Sequence, residues 1–348
     1  MGSPKETVTS RLVGEGIGPT PVFLRDLTLG LDAAGIHPRE VFTPGYDHVK
    51  SARAVVAMQR LSGQDAVVGC IHSAAFIVEQ FGGAMAYPEH AIPNVANAPF
   101  ADFGDTAGHD PVPMGKAEGA LKSYSEVRGL LPEVAVAGNV TGPMTKASVL
   151  MGMDVLALAI QAEPGYVEDV IALGLENTEC VFERFSKDSS VDFIFLAAAS
   201  DNPELFGPDA YGKHCLGYLG DIVKACRRHG FPVAFHPHGD FSGPFRNLLP
   251  KTLSTGISGF QFSEGNDPST IAADIGGACA LMGGTDVVPT LHSGDIAAIE
   301  SETRRYMGEC VGPRYVFMPS CSLHMGLPLE NVAAMVFAAR AFSVDQRP

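Results

Sequence analysis

The chain has 348 residues, 46% hydrophobic and 18% charged, which is ample for a packed core and unlike a disordered composition. Its formal net charge of -15 argues against nucleic acid as a partner, because phosphate binding needs a basic face. No apolar run approaches the roughly 20 residues of a membrane helix and the N-terminal MGSPKETVTS has no apolar signal core, so a soluble cytoplasmic protein is expected.

In chain order, short apolar runs alternate with longer segments of helical period. Strands are predicted at Pro21–Leu24, Ala66–Ile71, Val134–Ala137, Phe193–Ala197, Val233–Phe235, Gly259–Phe262, Ala280–Met282 and Tyr315–Met318. Runs apolar on both faces suit a buried parallel sheet. Between them, Tyr166–Ser186 places Val167, Val170, Ile171, Leu175, Phe182 and Phe185 on one helical face. A further helix follows Phe206, with Pro208 and Asp209 suited to its first turn and Gly230 to its stop.

Eight strands separated by helices predict a (β/α)8 TIM barrel, with a doubly wound open sheet as the alternative. A single domain over 1–348 is expected, with an N-terminal extension and an elaborated loop around 80–125, where both periods fade. Seven scattered cysteines without a Cys-x-x-Cys pair argue against a disulfide framework.

A parallel barrel builds its site at the C-terminal ends of its strands, so the residues after each run matter most. These include Asn139, Asp201, Glu264 and, after Val233–Phe235, the pair His236 and His238. In extended chain, residues two apart point the same way, so both imidazoles can face the barrel mouth. Cys321, past the last run, can face them across the opening. Two nitrogens and a sulfur suit Zn²⁺ with an open fourth position. An ordinary pair of hydrogen-bonded loop histidines and a buried thiol remain the alternative. Glu264 and Asp201 are candidates for a fourth ligand, an anchor or a proton donor, or for plain caps. Asp240 either orients an imidazole or closes a turn, and His324 rivals Cys321 as third ligand. The acidic loop Asp102–Asp110 lacks a calcium-loop pattern and reads as solvated.

Six stretches carry a resemblance that covers nearly the whole chain: PVFLRDLTLGLDAAG (21–35), AGNVTGPMTKASVLMGMD (137–154), FGPDAYGKHCLGYLGDIV (206–223), VAFHPHGD (233–240), ALMGGTDVV (280–288) and MPSCSLHMGLPLENVAAM (318–335). The sequence resembles the uroporphyrinogen decarboxylase superfamily, and within it the zinc-dependent, corrinoid-linked methyltransferases. The resemblance implies a TIM barrel and a zinc site of His-x-Cys plus a distant Cys. Here His236 matches the His, His238 stands where the first Cys would be, and Cys321 matches the second.

The resemblance also implies a separate corrinoid protein as partner. By family position Arg25 and Asn139 become candidate substrate contacts; His72, which follows an early strand, is a third because it can face the same mouth. The exchange of a thiolate for an imidazole favours polarisation of a methyl donor, most simply an aryl methyl ether, over activation of a thiol. A methylcobalamin:thiol methyltransferase of the coenzyme M type and a metal-free decarboxylase-type lyase are the alternatives. Against the latter, the stretch LRDLTLG keeps Arg25 but lacks a following basic residue.

Overall fold

The computed structural model describes residues 2–345 apart from His90. Among the described residues nine strands form, β1 Ala66–Val68, β2 Ala84–Ala86, β3 Asn94–Asn97, β4 Ala135–Thr141, β5 Phe193–Ala198, β6 Val233–Pro237, β7 Gly259–Gln261, β8 Ala280–Gly283 and β9 Tyr315–Phe317. Seven of them make one parallel sheet in the order β1-β4-β5-β6-β7-β8-β9. Its two edges are joined by the run at 21–24, where Val22 bridges Phe317 and Phe23 bridges Ala66, both parallel. Backbone hydrogen bonds Phe23 N to Phe317 O (3.0 Å) and Asp65 N to Val22 O (2.8 Å) complete the joint. The sheet is therefore closed, and its neighbours follow chain order without the reversal of a doubly wound sheet. All eight predicted runs take part.

The strands are buried on both faces, with Phe23, Phe193 and Phe195 meeting edge-to-face inside the barrel. Outside, helices return the chain between strands: His48–Ser62, Gly115–Leu130, Pro164–Asp188, Gly217–Arg228, Leu249–Ser254, Pro268–Ile275, Ile296–Glu309 and Leu329–Asp345. The N-terminal segment forms a helix, Pro4–Val13, started by a Ser3–Glu6 capping box. Its Arg11 donates to the carbonyls of Pro313 and Gly18.

Three expectations are corrected in detail. The region 80–125 is not all loop, since it holds the antiparallel pair β2–β3 and the helix that starts at Gly115. That helix escapes the periodicity because its buried face is small and polar, with Lys116, Gly119, Ala120 and Ser123 beside Leu121, Tyr124 and Val127. The helix after Phe206 starts earlier, at Pro203, and breaks at Gly207 (φ 82°) before Pro208 resumes it. Finally, β4 runs on to Thr141, so Asn139 lies within a strand rather than after one.

No single helix among the described residues is long and apolar enough to cross a membrane; one pair, Pro143–Met151 and Met153–Ala162, passes by length and composition but is bent by 108°.

Candidate metal centre at the barrel mouth

His236 sits on β6 and His238 directly after it, while Cys321 lies in the turn after β9. Their ligand atoms all lie within 4.8 Å of one another, the one such cluster found among the described residues. Cys321 Sγ is 3.7 Å from His236 Nε2 and 3.8 Å from His238 Nε2. Tetrahedral zinc with ordinary Zn–S and Zn–N lengths places sulfur and nitrogen about 3.6 Å apart, so both S–N edges already match.

The local chain fixes this arrangement. Gly239 takes φ 116°, turning the chain away immediately after His238; a Cβ there would meet Asn202 Oδ1 and Pro203. Asp240 then closes the turn, its Oδ1 accepting from Ser242 N, Gly243 N and Ser242 Oγ, so it orients no imidazole. The Cys321 turn is tied by three bonds to the ends of two strands, β7 and β8. Gln261 Nε2 donates to Pro319 O (2.8 Å), Met318 N to Gly283 O (3.1 Å) and Ser320 N to Thr285 O (2.9 Å).

Protonation suits a metal. Burial holds the His236 imidazole neutral, down to about 4, and its Nδ1 has no partner. Burial alone would raise the Cys321 thiol, but hydrogen bonds from His236 and His238 and the charge of Arg25 bring it down to about 3. Two nitrogens and a thiolate are the donor chemistry of a catalytic zinc site, and the residues fit that ion. When bound, zinc supplies Lewis acidity at an open coordination position.

The cluster divides two spaces. On the inner side is a cleft of ≈ 120 Å³ lined by Arg25, His72, Asn139 and Thr141 together with His236, His238 and Cys321. Arg25 is 5% exposed and held in the left-handed region at φ 47°, which costs energy for a residue with a Cβ. Its Nε donates to Asn139 Oδ1 (3.2 Å), and its guanidinium lies 4.8 Å over the Phe195 ring. The Asn139 Nδ2 and His72 Nε2 atoms are buried without partners. Burial, then the charge of Arg25 and His324, holds His72 neutral, down to about 3.

On the outer side is a cavity of ≈ 370 Å³ with Glu204, Glu264, Ser322 and His324. Glu264 Oε1 accepts from Val287 N, Val288 N and Ser320 Oγ, each at 3.1 Å, so this carboxylate anchors the Cys321 turn while facing the cavity. His324 is not in the cluster; its Nε2 pairs with Ser322 Oγ at 2.9 Å and its Nδ1 with Thr28 Oγ1 at 3.3 Å.

Asp201 is not where a proton donor would be. It is fully buried and accepts from Met144 N (3.1 Å), Thr145 N (3.0 Å) and Thr145 Oγ1 (2.7 Å), starting the helix Pro143–Met151. Gly142 lets it approach, since a Cβ there would lie 2.5 Å from its Oδ2. The acidic loop at 102–110 stays outside the cluster, with His109 packed edge-on against Phe81 and Phe100. Sequence reasoning missed Ser322, beside Cys321, and Lys146, buried near the cleft; a lysine on a helix gives no signal that it points inward.

The sequence matches the uroporphyrinogen decarboxylase (URO-D) family over residues 3–342. The chain belongs to the uroporphyrinogen decarboxylase family. Among solved structures, a methyltransferase from Methanosarcina mazei has the same fold, with TM-score 0.86 and 21% identity over 98% of this chain and 99% of that one. A B12-independent methionine synthase from Shewanella sp. W3-18-1, in complex with selenomethionine, is more distant, with TM-score 0.55 and 12% identity over 94% of this chain and 98% of that one. No curated protein sequence gives a significant match. At these identities the likeness carries the URO-D barrel, and the chemistry has to be argued from the site.

Proposed function

We propose that this URO-D family protein moves a methyl group from a small donor, an aryl methyl ether, to the cobalt of a corrinoid carried by a separate protein. The observation that carries the reading is the donor set itself. Two neutral imidazoles and one thiolate around an open position leave more positive charge on a bound zinc than two thiolates would. That charge suits polarising an ether oxygen better than keeping a bound thiol nucleophilic.

The bookkeeping of the reaction is simple. The methyl–oxygen bond breaks, its electron pair stays on oxygen, and the cobalt of the reduced corrinoid supplies the pair for the new methyl–cobalt bond. The oxygen then takes one proton to leave as a phenol. Ser322 lines both spaces, and its Oγ lies 3.8 Å from Cys321 Sγ and 2.9 Å from His324 Nε2, which supports a Ser322–His324 pair as the relay for that proton. Arg25, Asn139 and His72 line the inner cleft, which supports the reading that they hold the donor there.

The test combines metal analysis of the purified protein with a small panel of methoxylated aromatics assayed with reduced corrinoid protein. About one zinc per chain and phenol release that requires the corrinoid protein are expected. Methylation of a thiol from methylcobalamin, with no ether cleavage, would replace this reading by the thiol one. Full activity after chelation, on a tetrapyrrole carboxylate, would replace it by a decarboxylase.

A further inference from the structure

A side chamber of ≈ 90 Å³ adjoins the inner cleft, lying between the barrel wall and the helices Gly115–Leu130 and Pro164–Asp188. Phe76, Leu121, Tyr124, Val181 and Phe185 give it apolar walls. It shares His72, Asn139 and Thr141 with the cleft, so the two spaces meet along a common wall of these three residues. Two polar atoms of that wall, Asn139 Nδ2 and His72 Nε2, have no partner. Asn139 is 6% exposed, and the hydrogen bond of its Oδ1 with Arg25 fixes Nδ2 as a donor with nothing to bond.

Lys146 lines the chamber and not the cleft. It is 6% exposed and its ammonium touches only neutral acceptors: Gly174 O at 3.0 Å, Asn177 Oδ1 at 3.1 Å and Thr178 Oγ1 at 2.6 Å. Those bonds tie two helices together, a task a neutral side chain would do without the cost of burying a charge. Burial pulls the Lys146 ammonium down to about 7, the mark of a cation lacking a counter-ion. Arg25, the buried cation that lines the cleft, already faces the Cys321 thiolate. Among the described residues, no Asp or Glu lines either the chamber or the cleft. In a chain with 39 acidic and 24 basic residues, two adjoining spaces lined by a cation each and by no acid are selective.

We propose that the cleft and the side chamber together bind one small organic anion, whose carboxylate lies toward Lys146, whose apolar frame occupies the chamber, and whose oxygen meets Asn139 at the shared wall. Neither space reaches the roughly 150 Å³ of a cavity known to take up benzene, so a ring-bearing ligand has to span both. That this anion is also the methyl donor rests on the methyl-transfer reading; that it binds does not.

Calorimetric titration of the full-length, zinc-loaded protein with 4-methoxybenzoate and with the neutral, nearly isosteric 4-methoxybenzamide tests the idea without a corrinoid partner. The acid is expected to bind at least tenfold tighter than the amide. Lys146→Met should abolish that preference, and Ala117→Leu, which narrows the chamber, should weaken both ligands. Equal binding of acid and amide by the unmodified protein overturns the proposal, as does a preference that survives in Lys146→Met with unchanged circular dichroism. If Lys146→Met fails to fold, Lys146→Gln and Ala117→Leu decide: full acid preference in the first, or undiminished binding in the second, overturns it equally. Tight binding of the acid without demethylation would count against the methyl-transfer reading alone. Demethylation of both probes with equal affinity would count against the anion site alone.

Discussion

The two sides of the His236–His238–Cys321 cluster are built from opposite chemistry. The outer cavity is the larger, carries Glu204 and Glu264, and is edged by Val288, which is 65% exposed. The inner cleft is small, buried and lined by Arg25 with no acid. Acids do stand close to the inner side, but each is turned into a helix start. Asp26 accepts from Leu29 N (2.6 Å) and Gly30 N (2.9 Å), and Asp201 accepts from Met144 and Thr145. Carboxylates that would neutralise the cleft are thus committed to backbone amides, leaving positive charge to act on a ligand. The outer side, open to water, tolerates acids because solvent screens them.

The largest effect is expected from removing the partition itself. His236→Ala should leave the protein folded but take zinc well below one per chain, and lower methyl transfer by at least about 100-fold, since even groups that only support a ligand cost 10–100-fold. Metal analysis alongside turnover checks it. Full activity at wild-type rates in a zinc-free variant would end the metal reading and the comparison with it.

Next comes Asp201→Asn. If Asp201 serves the fold and not the chemistry, the change strands one amide donor at the start of Pro143–Met151 and costs about 2 kcal/mol of stability. Turnover per folded molecule should be unchanged. Urea denaturation measures the first and active-site-normalised kinetics the second; a loss of turnover with unchanged stability would move Asp201 back into the catalytic set.

These two residues also show what the sequence could carry. The eight strand runs were legible because a strand buried on both faces must be continuously apolar, and His236, His238 and Cys321 were legible because strand ends face the mouth of a parallel barrel. Asp201 meets the same criterion and yet caps a helix 56 residues earlier in the chain, a contact made by neighbouring β/α units that no local pattern records. The helix Gly115–Leu130 hid for a different reason: Gly119 presses against Tyr46 and its packing face mixes small and polar residues with Leu121, Tyr124 and Val127, which breaks up the apolar stripe. Lys146 was illegible because burial of a lysine is decided by the helices around it.

Glu264 gives a smaller and sharper effect. Glu264→Gln keeps a carbonyl acceptor for Val287, Val288 and Ser320, so activity should fall no more than about 10-fold with the pH–rate profile unchanged. A lost limb in that profile would show that the carboxyl itself moves a proton, and the outer side would then be catalytic and not merely supportive.

The smallest effect tests the electropositive inner side most directly. Burial raises Asp26 from 3.8 to about 7, against the opposing hydrogen bonds from Leu29, Gly30 and Thr28. The folded state therefore holds this proton to higher pH than the unfolded chain does, so the contribution of Asp26 to stability falls as pH rises from about 4 to about 7. Asp26→Asn has no such proton, and the stability of the parent protein minus that of the variant should shrink across this window in urea titrations at fixed zinc. The absolute cost of the variant mixes in its altered helix cap; the slope does not. A difference that grows with pH would mean that Asp26 is ionised and stabilised beside Arg25. The inner cleft would then carry its own counter-charge, and the case for an anionic ligand would lose its electrostatic basis.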